Sequence, residues 1–271
     1  MSDTVHNIKT YMKFTSDEFM AFLVTGFFAA VILNFRNWGD ETFNMMTGIQ
    51  ATLLSFMLIL LILIATVWLC KVIAIRLGYT IEYKSHLPGL VIGVFICVIS
   101  NGYLPIFLPG GFEIQQPHRL AIGKYHPFRR GWELGLIAGT FPLIMLLWVL
   151  ILNPLYLLTH GELFLRMTVT VCLFAIYACL PVPFFDSHHK GNLRDWFRYL
   201  HGASFGLEVA YASFSWYIVL CCTVLFFALV AFLLTVLDTG AGIVLYVLSF
   251  LVGLFCLWVY SKFYKYHRHS L

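Results

Sequence analysis

Hydrophobic residues run through this chain in long unbroken blocks, not in the alternation of a half-buried strand or the narrow stripe of an amphipathic helix. The longest uncharged block, ATLLSFMLILLILIATVWLC at 51–70, holds twenty residues. As a helix rising 1.5 Å per residue it is long enough to cross the roughly 30 Å hydrocarbon core of a bilayer. Similar blocks lie at about 19–35, 88–112, 134–158, 167–185, 209–237 and 239–261. The pattern predicts an all-α polytopic membrane protein, with a membrane domain at 18–262 between an N-terminal segment, 1–17, and a basic, aromatic tail, 263–271. The run from about 205 to 237 is too long for one straight crossing, so its start, with Gly206 and Glu208, is expected to lie at the interface or to tilt.

The block at 88–112 differs from the others. Asn101, Gly102, Pro105, Pro109, Gly110 and Gly111 interrupt it, and such residues end helices. Charge then decides how it is threaded, because cytoplasmic loops of membrane proteins retain Lys and Arg. If every block crosses, the loop carrying Arg119, Lys124, Arg129 and Arg130 lies opposite the segment carrying Lys9 and Lys13. If 88–112 is re-entrant, fifteen of the seventeen Lys and Arg residues share one side, leaving Arg36 and Arg166 opposite. The expected architecture is therefore about six transmembrane helices plus a re-entrant or broken segment, integral to the cell membrane, with both termini cytoplasmic. Non-helical backbone at membrane depth has to be buried in protein or line a wet cavity.

Composition agrees: 61% of the residues are hydrophobic and 11% charged, with a mean hydropathy of +0.86. The net charge of +4 forms no stripe, which argues against a nucleic-acid partner. Arg119, Lys124, Arg129 and Arg130 are candidates for contacts with acidic lipid headgroups, although anchoring of the adjacent spans accounts for them more simply. All seven cysteines fall inside apolar runs, with no CxxC pair, and read as packing residues. The centres of the blocks carry no ionisable side chain of the kind that marks ion pathways. Polar chemistry gathers instead in HRLAIGKYHPFRRGWE at 118–133 and PVPFFDSHHKGNLRDW at 181–196.

Four stretches, in order, carry a resemblance to a known family. FTSDEFMAFLVTGFFAAVIL at 14–33 is similar to a first span after a polar cap. KVIAIRLGYTIEYKSHLPGLVIGVFICVIS at 71–100 is similar to the strand-like piece and Pro-Gly-Leu run that follow a catalytic helix. WELGLIAGTFPLIMLL at 132–147 and PVPFFDSHHK at 181–190 match a Gly-Lys-Ile-Ala-Leu-Ala-Gly-Pro segment and a Pro-x-Pro-Pro-x-Asp-Gly motif. Over roughly 14–200 the chain resembles the site-2 protease intramembrane zinc metalloproteases, in a form close to their archaeal members.

The resemblance implies a site-2 protease-like core, and it also implies that the reaction is gone. The family's zinc helix carries His-Glu-x-x-His, in which the histidines hold zinc and the glutamate activates the bound water. Thr66, Val67 and Cys70 stand at those places. Asp186 matches the aspartate of the second motif, whereas Phe184 replaces a proline and Ser187 the glycine. Cys70 and Asp186 together fall short of the three protein ligands of catalytic zinc, so no catalytic residue and no cofactor are expected.

The leading expectation is a catalytically inactive site-2 protease-like protein, a scaffold, chaperone or subunit that binds another membrane protein or a larger membrane complex. Ile81, Tyr83, Asn101, Gly102 and Pro105 are its candidate partner-binding residues, because strand-like backbone in the membrane must be satisfied by something. One alternative is a divergent metalloprotease using zinc on Cys70, Asp186 and one of His188, His189 or His201. The plainer reading of that last group is a helix cap beside solvated histidines. A second alternative is a small channel or lipid-handling membrane protein.

Overall fold

The structure is a computed structural model that describes residues 11–38, 45–115, 131–159, 161–182, 204–236 and 243–268. The described chain holds eight α-helices, a short 3-10 helix at Phe35–Trp38 and one two-stranded ribbon: α1 Ser16–Leu33, α2 Met45–Leu77, β1 Thr80–Lys84, α3 Leu87–Ile99, β2 Gly111–Gln115, α4 Gly131–Thr159, α5 Glu162–Ala178, α6 Phe205–Ala212, α7 Phe214–Val236 and α8 Ile243–Arg268. Four stretches, Ser16–Leu33, Met45–Leu77, Trp132–Tyr156 and Phe214–Ala231, are long and apolar enough to cross a membrane. Shorter apolar stretches occur at Leu87–Ile99, Leu163–Ala178 and Val247–Val259. The protein is thus a mostly helical membrane protein, and the all-α expectation is corrected by the ribbon.

Local chemistry sets the ends of these elements. Thr15 caps α1: its hydroxyl accepts from the Glu18 N–H at 3.2 Å while Glu18 accepts from the Thr15 N–H at 3.1 Å, the reciprocal capping box. Gly78, at φ +90°, closes α2 by donating to the Ile75 carbonyl while Tyr79 donates to that of Ala74, a Schellman stop that suits glycine. Asn101, at φ +51°, and Gly102, at φ +77°, close α3 in the same way, donating to the Val98 and Cys97 carbonyls. The long block after residue 204 breaks at Ser213, whose extended backbone separates α6 from α7.

α4 carries Pro142 and Pro154 within its length; each removes an intrahelical donor, a defect that spanning helices tolerate where neighbours compensate. Gly135 on α4 lets α6 approach so closely that a Cβ there would strike that of Ala212, the small-residue contact by which membrane helices pack.

The ribbon explains the broken block. β1 and β2 are antiparallel, with Lys84 opposite Gly111 and Thr80 opposite Gln115. Residues 85–110 therefore leave and return at one point, outward on α3 and back on extended chain. Cys97 donates to the Ile32 carbonyl at 3.5 Å, and the Arg36 guanidinium lies 4.6 Å from the centre of the Tyr103 ring. The tip of this excursion thus reaches the far end of α1.

Candidate functional site

Where the zinc helix of the resembled family would carry its motif, α2 presents a face sealed by neighbours. Thr66, Val67 and Cys70 are completely buried. The Thr66 hydroxyl donates to the Ile62 carbonyl at 2.8 Å and accepts from the Trp148 indole at 3.0 Å. Cys70 accepts from the Thr140 hydroxyl at 3.4 Å. Val67 offers no donor or acceptor. A hydroxyl bonded to its own helix, an isopropyl group and one thiol do not make the three-ligand set of a catalytic zinc site. Among the described residues no three His, Cys, Asp or Glu side chains come together as a metal-binding group. Asp186, His188, His189 and His201 lie outside the described residues, as do Arg119, Lys124, Arg129 and Arg130.

One residue beyond Cys70 stands the most charged interior contact. Lys71 pairs with Glu18 at 2.6 Å, with both side chains almost wholly buried. The Lys71 ammonium also donates to the Lys13 carbonyl at 3.0 Å and lies 4.7 Å from the centre of the Phe14 ring. The second Glu18 oxygen accepts from the Tyr83 N–H at 3.0 Å. A buried ion pair is tolerable only when its remaining hydrogen-bonding capacity is met in this way. Glu18 and Lys71 therefore tie α1, α2 and β1 into one joint, which the sequence reading did not single out, although Thr15-Ser-Asp-Glu18 is a capping-box signature.

The strand that carries the candidate partner-binding residues Ile81 and Tyr83 already has a companion within the chain, since β1 pairs with β2. Ile81 and Tyr83 are buried. Because the Tyr83 N–H turns to Glu18, Tyr83 faces away from β2, and alternation puts Ile81 on the same outer edge. On the other side Gly111 bridges to Ser204, whose hydroxyl donates to the Leu180 carbonyl at 2.8 Å and accepts from the Val182 N–H at 2.9 Å.

The extended return at 103–110 meets its backbone needs from named groups. Pro105 and Pro109 carry no N–H to satisfy. The Pro105 carbonyl accepts from the Tyr177 hydroxyl at 3.0 Å, and that of Pro109 from the hydroxyls of Thr25, at 3.3 Å, and Tyr83. Gly93 has no Cβ to collide with the Ile106 carbonyl. The Leu104 N–H donates to Ser100 Oγ at 3.1 Å. At the tip Asn101 is exposed, as are Tyr103 at 66% and Leu104 at 54%, whereas Gly102, Pro105 and Ile106 are half-buried. Of the five candidate partner-binding residues, Asn101, Gly102 and Pro105 are thus at least partly accessible.

A second concave feature is an apolar cleft of about 380 Å³ between α4, α6 and α7, with Trp132 and Trp216 on its rim and Gly135, Gly139, Thr140 and Val209 in its walls. The chain matches no family model, no curated protein and no solved structure.

Proposed function

We propose that this chain is a catalytically inactive site-2 protease-like membrane protein that holds a transmembrane segment of another protein, or a larger membrane complex, without cutting it. The observation that supports this most is the α2 face: Thr66, Val67 and Cys70 are fully buried, Thr66 bonded to Ile62 and Trp148 and Cys70 to Thr140, with neither a water-activating carboxylate nor an imidazole among those contacts. In this reading six spans cross the membrane, α3 and its return form a re-entrant excursion from the cytoplasmic side, and both termini face the cytoplasm. The common point of departure and return at Lys84 and Gly111 supports that threading.

Partner contact falls on the outer part of the excursion, residues 101–106, because Asn101 is exposed and Tyr103 and Leu104 project from the fold. A photo-crosslinking residue at Tyr103 or Leu104, activated in native membranes, is expected to capture an intact membrane protein, whereas the same residue at buried Ile81 is expected to capture none. Isolation as a lone chain with no adduct from 103 or 104 contradicts the scaffold role, and capture of a cleaved fragment favours the metalloprotease alternative. The apolar cleft favours a second reading, lipid handling. Co-purifying lipid that Gly139→Leu displaces, in a protein that captures no partner, is its expected signature.

A further inference from the structure

We propose that the cleft between α4, α6 and α7 is a binding site for one hydrocarbon chain of a membrane lipid. The cleft exists because α7 does not continue α6. Gly135 lets α6 lie so close to α4 that a Cβ there would strike that of Ala212, and the extended backbone of Ser213 then starts α7 as a separate helix. The space left over Gly139 is open. A Cβ built there would find Val209 at 3.5 Å and Leu220 at 4.0 Å, no closer than ordinary contact. Glycine inside a helix is unfavourable relative to alanine, and close packing does not call for it at this position. Its effect is a deeper floor to the cleft.

Size and position select the occupant. Trp132 and Trp216 stand on the rim, 54% and 58% exposed, and Trp132 opens the stretch of α4 that is long and apolar enough to span. Indoles gather where hydrocarbon meets headgroup, so this end of the cleft lies at the membrane boundary. The α4 wall follows one helical face from Trp132 through Leu136 and Gly139 to Leu143. Over those positions the helix rises roughly 16 Å at 1.5 Å per residue, about half of the roughly 30 Å hydrocarbon core. That is the depth of one leaflet. A volume of about 380 Å³ over that length gives a mean width of about 5 Å, half that of a helix at roughly 10–12 Å. A single alkyl chain fits, whereas a helix of a partner or of a second copy does not.

Chemistry selects the same occupant. Thr140 spends its hydroxyl on the Ile137 carbonyl at 2.6 Å and on Cys70, and Ser213 Oγ accepts from the Trp216 N–H at 3.4 Å. Between the two indoles the other lining side chains are hydrocarbon, with Leu136, Leu143 and Leu220 the largest. An extended peptide would bring N–H and C=O groups into this space, where each would go unpaired away from water. A lipid chain brings none and gains dispersion contacts on several sides at once. The assignment deepens the lipid-handling reading, on which it rests for the use of this cleft. It shares no residue with 101–106, so it coexists with a protein partner at the tip.

The test places the full chain in phosphatidylcholine vesicles containing an analogue with a photoactivatable diazirine on one acyl chain, and maps the adducts by mass spectrometry. Adducts over 136–143 and 216–220 are expected to be severalfold enriched over those at Phe95 and Ile99, exposed residues of α3 that report lipid contact in general. Gly139→Leu fills the cleft and should abolish the enrichment while leaving α3 labelling unchanged; Gly139→Ala, whose Cβ meets only ordinary contacts, should fold and retain it. Equal labelling of cleft and α3 overturns the site, as does enrichment that survives Gly139→Leu. Capture of a polypeptide, from another chain or from this one, by a photoreactive leucine at Leu136 overturns it too. The unsubstituted chain decides by its enrichment alone if a variant fails to fold. Site and reading fail separately: cleft enrichment together with protein capture at Tyr103 or Leu104 upholds the lipid chain and removes lipid handling as the protein's main role.

Discussion

At the scale of single residues, the joint of Glu18, Lys71 and the Tyr83 N–H carries the heaviest demand. Two charges nearly free of solvent persist only because each partner and several neutral groups meet them, so removing one charge strands the other at a cost of about 3–5 kcal/mol. Glu18→Gln or Lys71→Met should each lower the thermal unfolding temperature of the detergent-solubilised protein, and the double substitution should be less damaging than the single ones add up to. A strictly additive loss would mean that the pair is not coupled. His86 makes a smaller, pH-dependent contribution. Its Nδ1 accepts from the Gly89 N–H at 3.0 Å, and burial lowers its pKa from the ordinary 6.5.

The folded state thus disfavours the His86 proton. The stability is present above the ordinary value, falls as pH drops through it, and levels off below the depressed folded value. His86→Asn keeps a capping acceptor without the titration and should flatten that part of a stability profile measured against pH. Very little of this was legible in the sequence. Thr15 and Glu18 announce a cap, but nothing local tells that a lysine 53 positions on will meet the same carboxylate. Pairing at such a separation is decided by helix packing.

At the scale of elements, the excursion over 85–110 is where sequence and structure agree best and differ most instructively. Asn101, Gly102 and the two prolines mark a broken segment whatever surrounds it, because left-handed backbone and missing donors are properties of the residues themselves. The strand pairing was visible only as extended character at 80–84; its companion could not be read, since Gly111–Gln115 lies beyond a long connection. Tight packing of the outward helix on the return chain depends on Gly93. Leu there would press on the Ile106 carbonyl, so Gly93→Leu should destabilise by about 1–3 kcal/mol or more and expose Tyr103 and Leu104 further to a thiol or photo-label. Unchanged unfolding and labelling would show that the two arms are not held together.

At the scale of the whole molecule, hydropathy located the four helices that are long and apolar enough to span, because a bilayer imposes length and apolarity on any helix that crosses it. It could not divide the long block after residue 204, where α6 and α7 are parted by the extended backbone of Ser213, nor place the basic loop at 119–130 or the Asp186 segment, both outside the described residues. The threading remains testable by charge side. Single cysteines introduced at 124 and 190 in a cysteine-free background should react with a membrane-impermeant reagent from the same, cytoplasmic face; labelling from opposite faces would mean that 88–112 crosses.

The central claim, a site-2 protease-like protein that binds without cutting, meets its most direct test in metal analysis of the protein purified in the absence of chelators. With Thr66 and Val67 at the motif positions, the account predicts zinc far below one equivalent per chain. Stoichiometric zinc that is lost on Asp186→Ala would contradict it and establish a rearranged metal centre.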